Sequence, residues 1–124
     1  MRDIDAAEDW LDAWTAGVNE RAARAAELAR RVAGLTARAR SDDGSVAVAV
    51  GAHGQVEGLE LDERVRTRPA RDLSRQILLV MRQAQHRLNE LVAEQVSETV
   101  GQDSESGRAV LDAFARRFPE PDGR

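Results

Sequence analysis

Five arginines lie within twelve residues near the middle of the chain, and they are its best candidates for binding an anion. They are Arg64, Arg66, Arg68, Arg71 and Arg75. A guanidinium group presents a rigid fork of donors that matches the oxygens of a phosphate or a carboxylate. Arginines on a connector that enters a helix can hold a phosphate backbone without reading its sequence. The alternative is a solvated loop, or a set of ion pairs with acidic helix turns of a partner subunit.

A second group of arginines recurs every seven residues, at Arg24, Arg31 and Arg38. This spacing predicts one stripe along a first long helix. Arg24 and Arg31 are therefore further candidates for contacting phosphate. The favoured interpretation of this stripe, however, is a solvated helix face beside the apolar dimer seam described below.

Charge is strongly segregated along the 124-residue chain, although the net charge is only −4. Residues 21–40 carry six arginines and one acid, and residues 63–91 carry seven arginines and three acids. Acids outnumber bases in residues 1–20, 41–62 and 92–124. Net acidity argues against a nucleic-acid partner, because affinity for phosphates comes from clustered cations. The two basic segments nevertheless supply such clusters, so a nucleic-acid partner remains a hypothesis.

No other group of residues has the spacing of a catalytic or metal site. The chain has no cysteine, which excludes disulfides, thiol nucleophiles and cysteine metal sites. Neither His53 nor His86 has a second ligand at metal-binding spacing, and the acids of residues 42–62 lack a nucleophile or base beside them. Residues 51–54 have the form of a nucleotide-clamping GXXG loop, but flanking strands predict a hairpin turn. We therefore predict no enzyme, no metal and no cofactor.

Eight positions in the first third of the chain alternate spacings of three and four residues. They are Leu11, Trp14, Val18, Arg21, Ala25, Leu28, Val32 and Leu35. Groups at this spacing line one edge of a helix, predicted over about residues 5–34, and an apolar edge must be buried against another helix. We therefore predict a homodimer whose interface contains every member except Arg21 and Ala25. Trp10 and Trp14 also suit a platform for stacking single-stranded bases, but their place on the seam favours helix packing.

The segments after this helix predict a sheet and a second helix. Alternating residues predict three antiparallel strands at about residues 36–41, 46–50 and 56–61, with a bulge at Gly58 where the alternation slips. Apolar residues then recur at helical spacing from Pro69 to about residue 96. The elements together predict an α+β domain over residues 1–96, built from a long helix, a three-stranded antiparallel meander and a long helix.

The C-terminal residues 97–124 have a different composition. Residues 97–107 are rich in serine, glycine and acids, which is typical of a flexible linker. Phe114 and Phe118 then lie four residues apart on a short amphipathic helical tail. Such a tail can dock on its own domain or on a foreign protein.

The order of elements and three short segments resemble the YbaB/EbfC family of bacterial nucleoid-associated proteins, particularly its actinobacterial members. The segments are Asp43-Gly44-Ser45-Val46-Ala47-Val48-Ala49-Val50, His53-Gly54-Gln55-Val56 and Leu59-Glu60-Leu61-Asp62. The likeness covers about residues 5–96. It departs from the family at Asp62-Glu63, where members often have Asp-Pro, and in the tail.

The resemblance implies an intertwined, tweezers-like homodimer that binds double-stranded DNA with little sequence specificity in the nucleoid. A second hypothesis is a protein-interaction adaptor, linked to type VII secretion as some relatives are, that uses the seam and the Phe114/Phe118 tail. No apolar run approaches the ~20 residues that span a bilayer, and the N-terminus is acidic, unlike a signal peptide. We therefore predict a cytoplasmic protein with no membrane contact.

Overall fold

The chain folds as a long helix, a three-stranded sheet, a second long helix and a short third helix. The structure is a computed structural model that describes residues 2–120, and their side chains from residue 4 onward. Its elements are α1 (Arg2–Ala33), β1 (Thr36–Arg40), β2 (Val46–Gly51), β3 (Val56–Leu61), a 3-10 helix (Glu63–Thr67), α2 (Ala70–Thr99) and α3 (Glu105–Arg117). This order confirms the predicted α+β fold class. In the described part, no helix is both long and apolar enough to cross a membrane.

The sheet has the order β1-β2-β3, and both pairs of strands are antiparallel. Side chains alternate between its two faces, so Val46, Val48 and Val50 lie under α2 and are each at most 3% exposed. The turn before β2 places Gly44 at a φ of 74°, a left-handed conformation that glycine adopts without strain.

The register between β2 and β3 shifts by one residue. Gly58 pairs with Ala49, but Val56 pairs with Val50, so Glu57 is the extra residue of a β-bulge. The bulge lies beside Gly58 and confirms the slip that the alternation predicts.

α2 supplies the centre of the core. Its buried residues recur at every fourth position, at Val80, Ala84, Leu88, Val92 and Val96. Because four residues exceed one helical turn of 3.6, this row winds slowly round the helix. α2 therefore packs against β1 and β2 and also against α1 and α3.

Only the C-terminal part of α1 joins this core. Leu28 and Val32 are its members there: Leu28 is buried, and Val32 packs against the core cluster. Leu35, just after the end of α1, packs against the same cluster. Residues 4–26, which we call the arm, are almost wholly exposed. Half of the six residues predicted for a dimer interface are thus packed within the chain itself.

The arm carries the other half of that predicted interface. Leu11, Trp14 and Val18 are 51%, 57% and 36% exposed, and Trp10 is 66% exposed. Their exposure leaves one contiguous apolar edge of α1 without a partner in the described part of the chain. A monomer rarely keeps such an edge in contact with water.

α2 and α3 are joined by a compact turn over residues 100–104. The backbone N–H of Gly101 donates to the carbonyl of Val96 at 2.7 Å, and the Ser104 hydroxyl accepts from the backbone N–H of Gly107 at 2.9 Å to cap α3. The segment between the two helices is thus shorter than the linker predicted over residues 97–107, because α2 continues to Thr99 and α3 begins at Glu105.

The end of α3 docks on the chain's own domain. Phe118 is 7% exposed, and its ring occupies the space where a Cβ of Gly54 would lie. Asn89 of α2 donates from Nδ2 to the Phe118 carbonyl at 2.5 Å. Arg117 donates to the His53 carbonyl at 3.2 Å. The aromatic tail therefore closes over the β2–β3 turn.

Candidate nucleic-acid interface

Arg68 is bound within the chain rather than presented to solvent. Its guanidinium donates to Oδ2 of Asp43 at 2.5 Å, to the Ser45 hydroxyl at 2.7 Å and to Oε1 of Gln76 at 2.5 Å. Ser45 is 1% exposed. Arg68 lies in the connector between β3 and α2, residues 62–69. Its hydrogen bonds join this connector to the β1–β2 turn and to α2, and this role is structural.

Asp43 is the centre of that turn. Hydrogen bonds from the hydroxyl and backbone N–H of Ser45, from Ser41 and from Arg68 hold the pKa of the Asp43 carboxyl well below its usual range. The carboxylate therefore stays ionised, and it neutralises the guanidinium of Arg68.

Arg64 and Arg66 are also paired, but they are more exposed. Arg64 donates through its backbone N–H and its side chain to Oδ1 of Asp62, and these bonds lower the pKa of the Asp62 carboxyl. It also donates to the Asp43 carbonyl at 2.9 Å. Arg66 lies 3.2 Å from Glu63. Exposed pairs of this kind are weak, so both arginines keep a share of the surface charge.

The side chains of three arginines of α2 form no ion pair or hydrogen bond with any residue that the structure describes. Arg71, Arg75 and Arg82 are all exposed. Spacings of four and seven residues place them on one side of the helix, roughly opposite the buried Val80. We call these three residues the α2 stripe.

The α2 stripe is only partly the predicted cluster. Arg71 and Arg75 belong to the five arginines that the sequence singles out, whereas Arg82 does not. The sequence does contain a signal for Arg82. It lies seven positions after Arg75, and seven residues return to nearly the same side of a helix. The exposed Leu78 lies between them on the same side.

The arginines of the second predicted group do not share one helix. Arg24 pairs with Glu20 at 2.8 Å, and Arg31 pairs with Glu27 at 3.0 Å and with Glu98 of α2 at 2.8 Å. The prediction that Arg38 continues this stripe is wrong, because α1 ends at Ala33 and Arg38 lies in β1. The chain turns into the sheet before the third seven-residue step.

The remaining candidates assemble no site. His53 is exposed in the β2–β3 turn, as predicted, and His86 is half-buried on α2. Within residues 4–120, no three histidine, aspartate or glutamate side chains are grouped so that they would hold a metal ion.

The α2 stripe makes one helix face of this α+β protein cationic, and clustered cations of this kind attract polyanions. The chain belongs to the YbaB/EbfC DNA-binding family, whose model matches residues 11–103. The match covers most of the arm, the sheet and α2, and it ends just before α3. No curated protein and no solved structure matches the chain.

Proposed function

We propose that this chain binds double-stranded DNA as a homodimer, with little sequence specificity, in the cytoplasmic nucleoid and without catalysing a reaction. Membership of a DNA-binding family supports the ligand. The observation that carries the assignment of a surface is the α2 stripe, whose three guanidinium groups form no ion pair with any acid in the described part of the chain.

The stripe has dimensions that suit a DNA backbone. Eleven residues separate Arg71 from Arg82, a rise of about 16 Å along the helix. Phosphates of one DNA strand advance by about 3.4 Å per base pair, so the stripe reaches the length of about five phosphates. Arg64 and Arg66 extend the positive surface at its start. Contacts to phosphates fix a protein on a duplex but carry no sequence information.

A homodimer is supported by the exposed edge of the arm. Leu11, Trp14 and Val18 lie along one side of a helix that leaves the domain, and a second copy of the arm would cover them as in other paired helices. Two chains would together present six arginines of the α2 stripe. A doubled cationic array outweighs the net charge of −4 on each chain because binding depends on local cations.

Titration of a labelled duplex across a salt series tests this function. The slope of log affinity against log salt should become shallower by about 0.9 for every phosphate contact that is lost. The triple variant R71A/R75A/R82A should therefore reduce the slope by about 2.7 per chain that contacts the duplex, and it should weaken binding strongly at low salt.

The triple variant R30A/R87A/R116A is the matched control. It removes the same charge from exposed arginines that each have an acceptor nearby, in Glu27, Glu90 or the Asp112 carbonyl. Equal losses in both variants would show that only net charge matters and would remove the stripe as the DNA surface. Absence of binding by the unaltered protein at low salt would overturn the proposed function itself.

A further inference from the structure

The face of the sheet that points away from α2 has a regular pattern of charge. We call it the open face. β1 contributes Arg38 and Arg40, β2 contributes the small residues Ala47 and Ala49, and β3 contributes Glu60. Positive charge thus lines one edge and negative charge the other, with a floor of methyl groups between them.

Glu57 adds a second carboxylate to the acidic edge. It is the extra residue of the β-bulge, and its Oε1 lies over the bare Cα of Gly51, in the space where a Cβ would be. Gln55 is its one hydrogen-bond partner in the described part of the chain, at 3.4 Å. The bulge therefore turns a second negative charge towards the open face.

These charges do not neutralise one another within the chain. Arg38 and Arg40 form no ion pair with any described residue, and neither do Glu57 and Glu60. β1 and β3 are separated by β2, so the two edges lie about 9.6 Å apart. All four side chains are exposed, so they are available to pair with charges on another surface.

We propose that the open face binds the open face of a second copy of this chain. Two such faces stacked about a two-fold axis parallel to the strands place the β1 edge of each copy over the β3 edge of the other. Arg40, Ala47 and Glu60 lie in one row across the sheet. The axis keeps the level of each row, so Arg40 of each copy meets Glu60 of the other. Arg38 meets the row of Gly58. The Glu57 carboxylate lies over Gly51 in the next row, a diagonal position within reach of a long side chain.

The pattern favours a second copy over other occupants. A phosphate backbone would gain Arg38 and Arg40 but would be repelled by Glu57 and Glu60. A two-fold axis across the strands would stack arginine on arginine, so the charges select one orientation. The small side chains of Ala47 and Ala49 let the two sheets approach closely, since packed sheets are normally held about 10 Å apart by larger side chains.

The contact is small and should be weak by itself. Three strands about 4.8 Å apart and five residues long cover roughly 250 Å² per copy, about 500 Å² in total, against about 1,200 Å² for a stable interface. This surface is separate from the arm and from the α2 stripe. We therefore expect it to join copies at high local concentration, in a manner that salt weakens.

Two charge-reversed variants test the proposal in the absence of DNA. R38E/R40E makes the open face wholly acidic, and E57R/E60R makes it wholly basic. In sedimentation velocity at low salt over a wide concentration range, the unaltered protein should reach a higher average mass than either variant. An equimolar mixture of the two variants should recover the lost mass, because an acidic face then meets a basic one.

Two further variants separate the open face from net charge and from misfolding. R38E/R40E/E57R/E60R restores both the complementarity and the net charge, and it should associate like the unaltered protein. R108E/R116E carries the same charge change as R38E/R40E but on α3, and it should associate normally. Far-ultraviolet circular dichroism verifies that each variant is folded.

Equal masses for the unaltered protein and both open-face variants at every concentration would overturn the proposal. A mixture of the variants that recovers no mass would do the same. If R38E/R40E weakened DNA binding with the mass unchanged, the open face would be a DNA contact rather than a contact between copies. None of these outcomes alters the titration of the α2 stripe, so the two proposals fail separately.

Discussion

The guanidinium of Arg68 donates to Oδ2 of Asp43 at 2.5 Å across 25 positions of sequence. The same guanidinium reaches the buried hydroxyl of Ser45. Three separate segments of the chain are held together at this point, the β1–β2 turn, the connector and the start of α2. The sequence makes Arg68 a candidate for binding phosphate, but in the structure its side chain stabilises the fold.

Arg68→Ala should destabilise the protein by about 1–3 kcal/mol, because it leaves the buried hydroxyl of Ser45 without the donor that Arg68 supplies. Arg66→Ala, two residues away on the same connector, should change stability by less than about 0.5 kcal/mol, as is usual for an exposed substitution. Urea unfolding of the two variants measures both values. Equal losses would contradict the structural role of Arg68.

Asp43 should make the stability of the fold depend on pH in the acid range. Its pKa in the folded state is below the ordinary value of 3.8, so its contribution is fully present above about pH 4 and is lost as the pH falls towards the folded-state value. Asp43→Asn should lower the melting temperature at pH 7. The gap to the unaltered protein should narrow progressively between pH 4 and pH 2.

Asp42→Asn is the control for this measurement, because the Asp42 side chain carries none of the hydrogen bonds of the turn. Its melting curve should stay parallel to that of the unaltered protein over the same range. A gap for Asp43→Asn that is constant with pH would show that the carboxylate is not stabilised by these bonds.

The contact between Gly54 and Phe118 should be measurable with two glycine variants. Gly44 and Gly54 have φ values of 74° and 78°, so Ala at either position costs about 1–2 kcal/mol of backbone strain. A Cβ at Gly44 meets nothing, whereas one at Gly54 meets the Phe118 ring. Gly54→Ala should therefore destabilise by about 1–3 kcal/mol more than Gly44→Ala, as overpacking does.

The same two glycine variants in a Phe118→Ala background show whether the Phe118 ring causes the excess destabilisation by Gly54→Ala. With the ring removed, the excess cost of Gly54→Ala should fall towards zero. Phe118→Ala alone should cost about 3 kcal/mol, the usual loss for a buried phenylalanine. An excess that persists without the ring would place the clash elsewhere.

The exposed edge of the arm should determine whether the protein dimerises. Leu11→Asp places a charge on that edge and should convert a dimer to a monomer in light scattering at micromolar concentration. Ala16→Asp places the same side chain roughly on the opposite side of the helix, with the same helix propensity, and should leave the mass unchanged. A dimer that persists in Leu11→Asp would contradict the assigned interface.

Much of the fold was predictable because its signals are local. The valines of residues 46–50 alternate with alanines, and this pattern alone predicts a strand with one buried face. The apolar spacing of α2 and the glycine beside the bulge are equally local. The third helix was predicted as a helical tail, but its docking on the β2–β3 turn was not, since Phe118 and Gly54 are remote in sequence.

The candidate site was less predictable, because counting arginines does not show which of them have partners. Arg68 and Arg71 look alike in sequence, yet Arg68 meets Asp43 only after the chain has folded. The apolar seam of α1 is likewise continuous in sequence, but α2 covers only its end. Leu28 therefore packs within the chain while Leu11 stays exposed.

Because of the arm, the helix content of the protein should depend on protein concentration. A helix that contacts nothing is held only by its own backbone hydrogen bonds, and such helices are marginal in water. In a lone chain residues 4–26 should fray, and they should become fully helical only as two chains meet. Helical ellipticity per residue should then rise with concentration, so that ordering and association are one reaction.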